Sequence, residues 1–193
     1  MQIIKLFHKF ILIALLFTVF SFSGCKKDDP VQPIEISFSN SQVPNTEDIV
    51  MYEINLRAFS NEGTFNGITI RLDSIKALGV NVIWLMPIHP VGAIKSVGQL
   101  GSPYSVQNYL TVNPEFGSLN DLKNLISKSH ILGISVVLYW VANHTAWDNP
   151  WIANKNWYTQ DGSGNIISPA GTGWNDVADL NYNNSEMRLA MIN

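Results

Sequence analysis

Three short runs of almost unbroken apolar residues stand out in the middle of the chain, at positions 49–54, 80–86 and 134–141. Runs of this length with few polar interruptions are typical of β-strands that are buried on both faces, as the strands of a parallel sheet are. Neighbouring parallel strands need a crossover connection, which is usually a helix. We therefore expect a helix in each of the two intervals between the runs.

Both intervals contain a segment with the three-to-four-residue spacing of a helix. The apolar residues with this spacing are Ile68, Leu72 and Ile75 in the first interval and Leu122, Leu125 and Ile126 in the second. Ser118 and Asp121 resemble a capping box at the start of the second helix, while Gly79 and Gly133 mark the helix ends. The order strand, helix, strand, helix, strand predicts an α/β fold with a parallel sheet.

Two long segments, residues 88–117 and 142–183, interrupt this regular order. The second is rich in Trp, Asn and Gly, and a segment of that length is typical of a functional loop or a small subdomain. Asn184 is predicted to be the N-cap of a last helix, whose apolar face holds Met187 and Met191.

The N-terminus has the layout of a secretory signal. Two lysines precede an apolar run at positions 10–22, which is short for a bilayer span, although a short membrane anchor is the alternative. Gly24 and Cys25 follow, and small residues before a Cys resemble a bacterial lipoprotein cleavage box. We expect residues 1–24 to be a lipoprotein signal peptide, Cys25 to be the lipidation site and residues 25–47 to be a polar linker.

Charge and composition narrow the range of functions. The net charge is −3, and removal of the two signal-peptide lysines makes it −5, so we expect no nucleic-acid partner. Cys25 is the only cysteine, which excludes an internal disulfide. Six tryptophans, five of them after position 139, fit either packing or a carbohydrate-binding surface, because flat aromatic rings can cover the apolar faces of sugars.

Six sequence blocks, taken in order, resemble the alpha-amylase family, glycoside hydrolase family 13. VVLYWVANH at positions 136–144 resembles the first sequence region of that family, which normally reads Asp-x-x-x-Asn-His. GSPYSVQNY at positions 101–109 resembles its Tyr-x-x-x-Asp-Tyr loop. The other four blocks are MYEINLRAF at 51–59, LGVNVIWLMPI at 78–88, NPEFGSLNDLKNLISKSHILGI at 113–134 and VADLNY at 177–182.

The resemblance implies the fold class in more detail. Members of this family are (β/α)8 TIM barrels with a subdomain inserted after the third strand. Residues 48–142 would then be the first three βα units of an incomplete (β/α)8 barrel. Residues 143–183 would be part of the inserted subdomain, and residues 184–193 a truncated helix. Active sites of such barrels form at the carboxyl ends of the strands.

The resemblance also implies roles for individual residues. Tyr104 matches the tyrosine that stacks on the sugar bound before the cleaved bond, and His144 matches the histidine that hydrogen-bonds the same sugar. Asn143 and Asp179 match calcium ligands. Calcium takes six to eight oxygen ligands, so these two would not complete a site, and many members of the family lack the ion.

Retaining glycosidases need two carboxyl groups, one as nucleophile and one as acid/base. In the family these come from later strands, and the nucleophile lies in a Gly-Phe-Arg-x-Asp type stretch that these 193 residues do not contain. No catalytic residue is therefore assigned in this chain, and neither Asp176 nor Asp179 is given that role. Tyr139 and Asn108 stand where the family has aspartates.

These observations predict part of a cell-envelope alpha-glucan hydrolase that acts on starch-like polysaccharides or maltooligosaccharides. We expect a lipid anchor at Cys25 in the outer membrane or at the cell surface of a Gram-negative bacterium. With three of eight strands, the chain alone is expected to be inactive and either marginally stable or prone to aggregate. The alternative is a non-catalytic carbohydrate-binding lipoprotein or a decayed pseudoenzyme that uses its tryptophans and Tyr104.

Overall fold

The computed structural model describes residues 43–193, in which three strands form a parallel sheet. The strands lie in the order β1 (Met51–Ile54), β2 (Val82–Leu85) and β3 (Ser135–Leu138), with Val82 opposite both Met51 and Ser135. The predicted α/β fold with parallel strands is confirmed. The predicted signal peptide, Cys25 and most of the predicted linker lie outside the described residues.

Five α-helices lie in the described part of the chain, four of them between strands of the parallel sheet. They are α1 (Leu56–Phe59), α2 (Phe65–Thr69) and α3 (Leu72–Ala77) between β1 and β2, α4 (Leu119–Ile131) between β2 and β3, and α5 (Ser185–Ile192) after the last strand. Four 3₁₀ turns accompany them, at Thr46–Asp48, Pro114–Phe116, Pro150–Ala153 and Lys155–Trp157.

The first predicted helix is divided into α2 and α3. Arg71 has φ −108° and ψ 4°, outside the helical region, so the chain turns between Thr69 and Leu72. Ile68, Thr69 and Ile70 are three consecutive β-branched residues, whose restricted χ1 angles disfavour continuing a helix. The apolar spacing was therefore correct for the buried face and wrong for the continuity of the helix.

Helix α4 begins as predicted. The Ser118 hydroxyl accepts a hydrogen bond from the Asp121 amide at 3.2 Å, and the Asp121 carboxylate accepts one from the Ser118 amide at 2.7 Å. This capping box satisfies amide groups that have no partner inside the helix. Gly133, just after the helix, has φ +65°, a value that glycine adopts without strain.

A hydrophobic cluster lies between the sheet and its helices, and we call it the sheet cluster. Its fully buried members include Ile54, Phe65, Ile83, Leu85 and Leu125. Ile54 and Leu85 are register partners on β1 and β2, and Ile83 lies on the same side of β2, because side chains two apart share one face of a strand.

The outer strands are less buried than predicted. Met51 on β1 is 45% exposed and Val137 on β3 is 42% exposed, whereas Val82, Ile83 and Leu85 on β2 are buried. The prediction of strands buried on both faces is therefore wrong for β1 and β3. Each of these strands has a neighbour on one side only within the three-stranded sheet, which leaves part of its apolar surface in water.

The segment after β3 contains a second, smaller sheet. β4 (His144–Ala146) pairs antiparallel with β5 (Val177–Asp179), and a second cluster packs beside this ribbon. That second cluster consists of Tyr158, Ala178, Leu180, Met187 and Met191. His144 begins β4 and is therefore separate from β3, which ends at Leu138.

Helix α5 has its N-cap at Asn184, whose side chain accepts a hydrogen bond from the Met187 amide at 3.0 Å, as predicted. Met187 and Met191 lie on the buried face of the helix. Among residues 43–193, no helix combines the length and apolar character that crossing a bilayer requires.

Candidate functional site

A cavity of about 470 Å³ lies at the carboxyl end of β3, between the sheet and the β4–β5 ribbon. This volume is within the range of small-molecule sites. Its lining includes Tyr104, Tyr139, Asn143, His144, Trp174 and Asp176. Residues from three separate parts of the chain thus meet at the strand end where barrel enzymes place their active sites.

Tyr104 and His144, the two predicted sugar contacts, are neighbours in this cavity. The Nε2 atom of His144 lies 3.2 Å from the backbone carbonyl oxygen of Tyr104. A carbonyl only accepts hydrogen bonds, so Nε2 carries the proton and Nδ1 is the acceptor. Nδ1 is buried and has no hydrogen-bond partner within residues 43–193.

The environment of His144 favours the neutral imidazole. His144 is 5% exposed, and this burial lowers its pKa below the ordinary value, while the Tyr104 carbonyl, Asp176 and Asp179 partly offset the effect. Burial disfavours the charged form because the imidazolium loses its hydration. A neutral imidazole at pH 7 can donate one hydrogen bond and accept another.

Three aromatic rings form a continuous array at the cavity, which Tyr104 and Tyr139 line and Trp84 does not. The ring of Tyr139 stacks on Trp84 with centroids 5.5 Å apart and an interplanar angle of 2°, and it meets Tyr104 edge-on at 5.2 Å. Burial, together with nearby Tyr139 and Glu53, raises the pKa of Tyr104. Tyr139 thus places aromatic packing where the family resemblance implies a carboxylate.

An ion pair holds the loop that carries Tyr104. The Arg57 guanidinium donates hydrogen bonds to both carboxylate oxygens of Glu115, at 2.9 to 3.2 Å, and a further one to the Gly101 carbonyl at 3.0 Å. Gly101 directly precedes Ser102, which lines the cavity. We call this ion pair the Arg57–Glu115 clamp. The sequence does not predict it, because the two residues are 58 positions apart and periodicity carries no signal for such a pair.

Asn143 and Asp179, the predicted calcium ligands, lie near each other on the β4–β5 ribbon. His144 pairs with Asp179, and the Leu180 amide donates to the Asn143 carbonyl oxygen at 3.1 Å. Asn143 lines the cavity, whereas Asp179 does not. No group of three or more His, Cys, Asp or Glu side chains suited to a metal occurs within residues 43–193. Two oxygen-bearing side chains do not make a calcium cage, so calcium stays a prediction.

Trp174 lines the cavity and was not predicted as a site residue. Its ring meets that of His144 at 5.6 Å with an interplanar angle of 66°, and the residue is 49% exposed. The only sequence signal was the general excess of tryptophan in residues 142–183. Nothing local distinguishes Trp174 from Trp151 or Trp157, which pack against the second cluster.

The chain is similar in sequence to a protein-family model and to a curated alpha-amylase. The family model described as the alpha amylase catalytic domain matches residues 34–165. Alpha-amylase 3 of Dictyoglomus thermophilum is 30% identical over 170 residues, which is 75% of this chain and 33% of that protein.

Solved structures agree with the sequence matches. An alpha-amylase from Lactobacillus plantarum matches with a TM-score of 0.72 and 38% identity, over 75% of this chain and 34% of that one. An alpha-amylase from Geobacillus thermoleovorans, complexed with acarbose, matches with a TM-score of 0.62 and 28% identity, over 77% of this chain and 37% of that one. The chain therefore spans about a third of the length of these three proteins.

Proposed function

The chain belongs to the alpha-amylase family, and from this premise we propose that it forms part of a retaining glycoside hydrolase for alpha-glucans. Its substrates would be starch-like polysaccharides or maltooligosaccharides. The observation that carries the proposal is the convergence of Tyr104 and His144 on one cavity at the carboxyl end of a parallel strand. The acarbose bound by the relative from Geobacillus thermoleovorans supports a saccharide as the ligand of this cavity.

Each of the two residues has a proposed contact with one glucosyl unit. The phenol ring of Tyr104 would pack against the apolar face of the sugar. His144 would donate from Nε2 to a sugar hydroxyl, exchanging its 3.2 Å bond to the Tyr104 carbonyl for a bond to the ligand. Because burial keeps the imidazole neutral, this contact would persist at neutral pH.

A saccharide titration tests this proposal. Binding of maltotriose to the 193-residue chain is followed by tryptophan fluorescence, since Trp140 and Trp174 line the cavity. We expect saturable binding that weakens by about tenfold or more in both Tyr104→Ala and His144→Ala, because each loses a packed or hydrogen-bonded contact. Leu110→Ala, at an 89% exposed site outside the cavity, serves as the control. Equal affinity in all four proteins would contradict the proposed contacts.

The carboxyl groups at the cavity decide what these 193 residues can do alone. A retaining mechanism needs two carboxyl groups about 5 Å apart. Asp176 is the single carboxylate among the described residues that line the cavity. We therefore expect the chain alone to bind saccharide without cleaving it, and a reducing-sugar assay on soluble starch would detect any turnover. Release of reducing sugar above that of a Tyr104→Ala control would refute this expectation.

A second candidate function is non-catalytic glucan binding. It is favoured by the stacking of Tyr139 on Trp84, which gives the cavity an aromatic floor in place of an acid. The two candidate functions predict different DNA sequences downstream of codon 193. An open frame that encodes a Gly-Phe-Arg-x-Asp type stretch would support the hydrolase, and a stop codon with no such remnant would support the binding protein.

We also propose that Cys25 carries a lipid that anchors the protein in the cell envelope of a Gram-negative bacterium. The proposal rests on the apolar run at positions 10–22 and the small residues before Cys25. Labelled fatty acid should be incorporated into the expressed chain and not into a Cys25→Ser variant, and the labelled chain should fractionate with the outer membrane. Labelling of both proteins alike would rule out Cys25 as the acceptor.

For calcium, we propose that Asn143 and Asp179 each contribute one side-chain oxygen. Thermal unfolding of the chain with calcium and with a chelator tests this, since an ion that binds the folded state raises the midpoint. Asp179→Asn should reduce the calcium-dependent shift. Identical midpoints in calcium and in chelator would exclude the site in this chain.

A further inference from the structure

Trp174 occupies a wall of the cavity that no predicted sugar contact uses. Its ring lies edge-to-face with that of His144, with centroids 5.6 Å apart. The residue is 49% exposed, although it lies next to a histidine that is 5% exposed. A large aromatic side chain half in water at the rim of a cavity leaves apolar area available for a ligand.

The backbone around Trp174 is fixed on both sides. Before it, the Trp174 amide donates to the Thr172 hydroxyl, which donates to the Pro169 carbonyl at 2.8 Å. After it, the Asn175 carbonyl accepts from the Trp147 indole at 2.9 Å, and the Asp176 carbonyl accepts from the hydroxyl of buried Ser105 at 3.0 Å. The ring is therefore presented by an ordered turn.

A strained residue supports this turn from the loop that also carries Tyr104. Lys95 has φ +57° and is the one non-glycine residue with positive φ within residues 43–193. Its ammonium group lies 3.5 Å from the centroid of the Trp147 ring. A cation over the face of an indole is an attractive contact, which offsets the cost of the left-handed backbone. The same indole donates to the Asn175 carbonyl beside Trp174.

We propose that Trp174 is a stacking platform for a second glucosyl unit, next to the unit bound by Tyr104 and His144, and that the Lys95–Trp147 contact positions it. The proposal rests on the proposed glucan-binding function and adds a specificity-determining residue to it. Selection between one sugar and a chain of two or more would then depend on Trp174. Lys95 is a positioning residue that acts through Trp147 and Asn175 and does not touch the ligand.

Titration calorimetry of the 193-residue chain with methyl α-glucoside, maltose and maltotriose tests the platform. We expect Trp174→Ala to weaken binding of maltose and maltotriose by about tenfold and to change binding of methyl α-glucoside by less than about twofold. Trp174→Phe should retain most of the affinity because it keeps an aromatic face. Leu110→Ala, another exposed apolar side chain in a loop, should behave like the unsubstituted chain.

The failures of the two proposals are distinguishable. If the unsubstituted chain binds none of the three sugars, the glucan-binding function is overturned and the platform with it. If the chain binds maltotriose and both Trp174→Ala and Trp174→Phe bind it equally well, the platform alone is overturned. Circular dichroism spectra that match the unsubstituted chain verify that the variants are folded.

A second pair of variants tests the positioning role of Lys95. Lys95→Met keeps the aliphatic stem and removes the cation, and it should lower the ratio of maltotriose to methyl α-glucoside affinity by about threefold. Lys95→Arg should restore that ratio, since a guanidinium also packs on an indole face. A general loss of structure would weaken both sugars together. An unchanged ratio in Lys95→Met would show that the contact does not position the platform.

Discussion

The Arg57–Glu115 clamp offers the sharpest test of how the loop that carries Tyr104 is held. The Arg57 side chain is 17% exposed and that of Glu115 is 41% exposed, so solvent screens the acid more than the base. Hydrogen bonds to charged groups contribute about 1.5–3 kcal/mol when buried, and exposed ion pairs about 0–1 kcal/mol. Arg57→Met removes the bonds to both Glu115 oxygens and the bond to the Gly101 carbonyl, and we expect it to cost about 2 kcal/mol.

Glu115→Gln keeps one acceptor oxygen and leaves the guanidinium its bond to Gly101. We therefore expect the smaller loss of about 1 kcal/mol. The double variant should lose less than the sum of the two single variants, by a coupling energy of about 1 kcal/mol, because each single change already breaks the shared contact. Glu62→Gln is the matched control, since its contact with Arg71 is 3.7 Å long and both side chains are exposed.

Urea unfolding followed by tryptophan fluorescence measures these changes as shifts of the midpoint at constant slope. The control should show no measurable shift. A loss below about 0.5 kcal/mol for Arg57→Met would place it among ordinary surface substitutions, and a coupling energy near zero would show that the two charges are independently solvated. Either result would refute the reasoning that the clamp orders the loop.

Three further predictions concern single sites. Ser118→Ala removes the cap of α4 and should lower the free energy of unfolding by about 1 kcal/mol in urea titrations. Burial holds the pKa of His144 below 6.5 in the folded chain, so the His144 contribution to stability should be complete above pH 6.5 and should be lost as the pH falls through the folded-state pKa. An NMR titration of the imidazole measures that pKa, and a midpoint at or above 6.5 would contradict the effect of burial. Gly92→Ala places a new Cβ atom 2.3 Å from the Cβ atom of Ala146, and this overpacking should lower the free energy of unfolding by about 1–3 kcal/mol. Thermal unfolding measures the change, and an unchanged midpoint would show that the loop moves aside without cost.

The sequence predicted those parts of the fold that depend on local chemistry. The apolar runs located all three parallel strands, and the Ser118–Asp121 spacing located the start of α4, because both signals lie within a few neighbouring residues. The break at Arg71 was not predicted, since the apolar spacing continues across it. The exposure of Met51 and Val137 depends on which parts of the protein pack against the sheet. A run of apolar residues in the sequence does not specify those packing partners.

The candidate site was predictable only through the family resemblance. Tyr104 and His144 are 40 positions apart, and no periodicity joins them, yet the matched blocks named both and the structure brings them together. Arg57 and Trp174 belong to no matched role, so they emerged only from three-dimensional contacts. Tyr139 was recognised as a departure from the family, but its stacking on Trp84 required coordinates.

The two hydrophobic clusters have a consequence for how such a site can change over generations. Tyr139 follows the sheet, whereas Trp174 leads into β5, whose ribbon packs on the second cluster. A substitution that repacks Met187 or Leu180 can shift one wall of the cavity while Ile83 and Leu85 keep their neighbours. Because the two clusters are separate, substitutions in the second cluster can change the shape of the cavity without first disturbing the packing of the parallel strands.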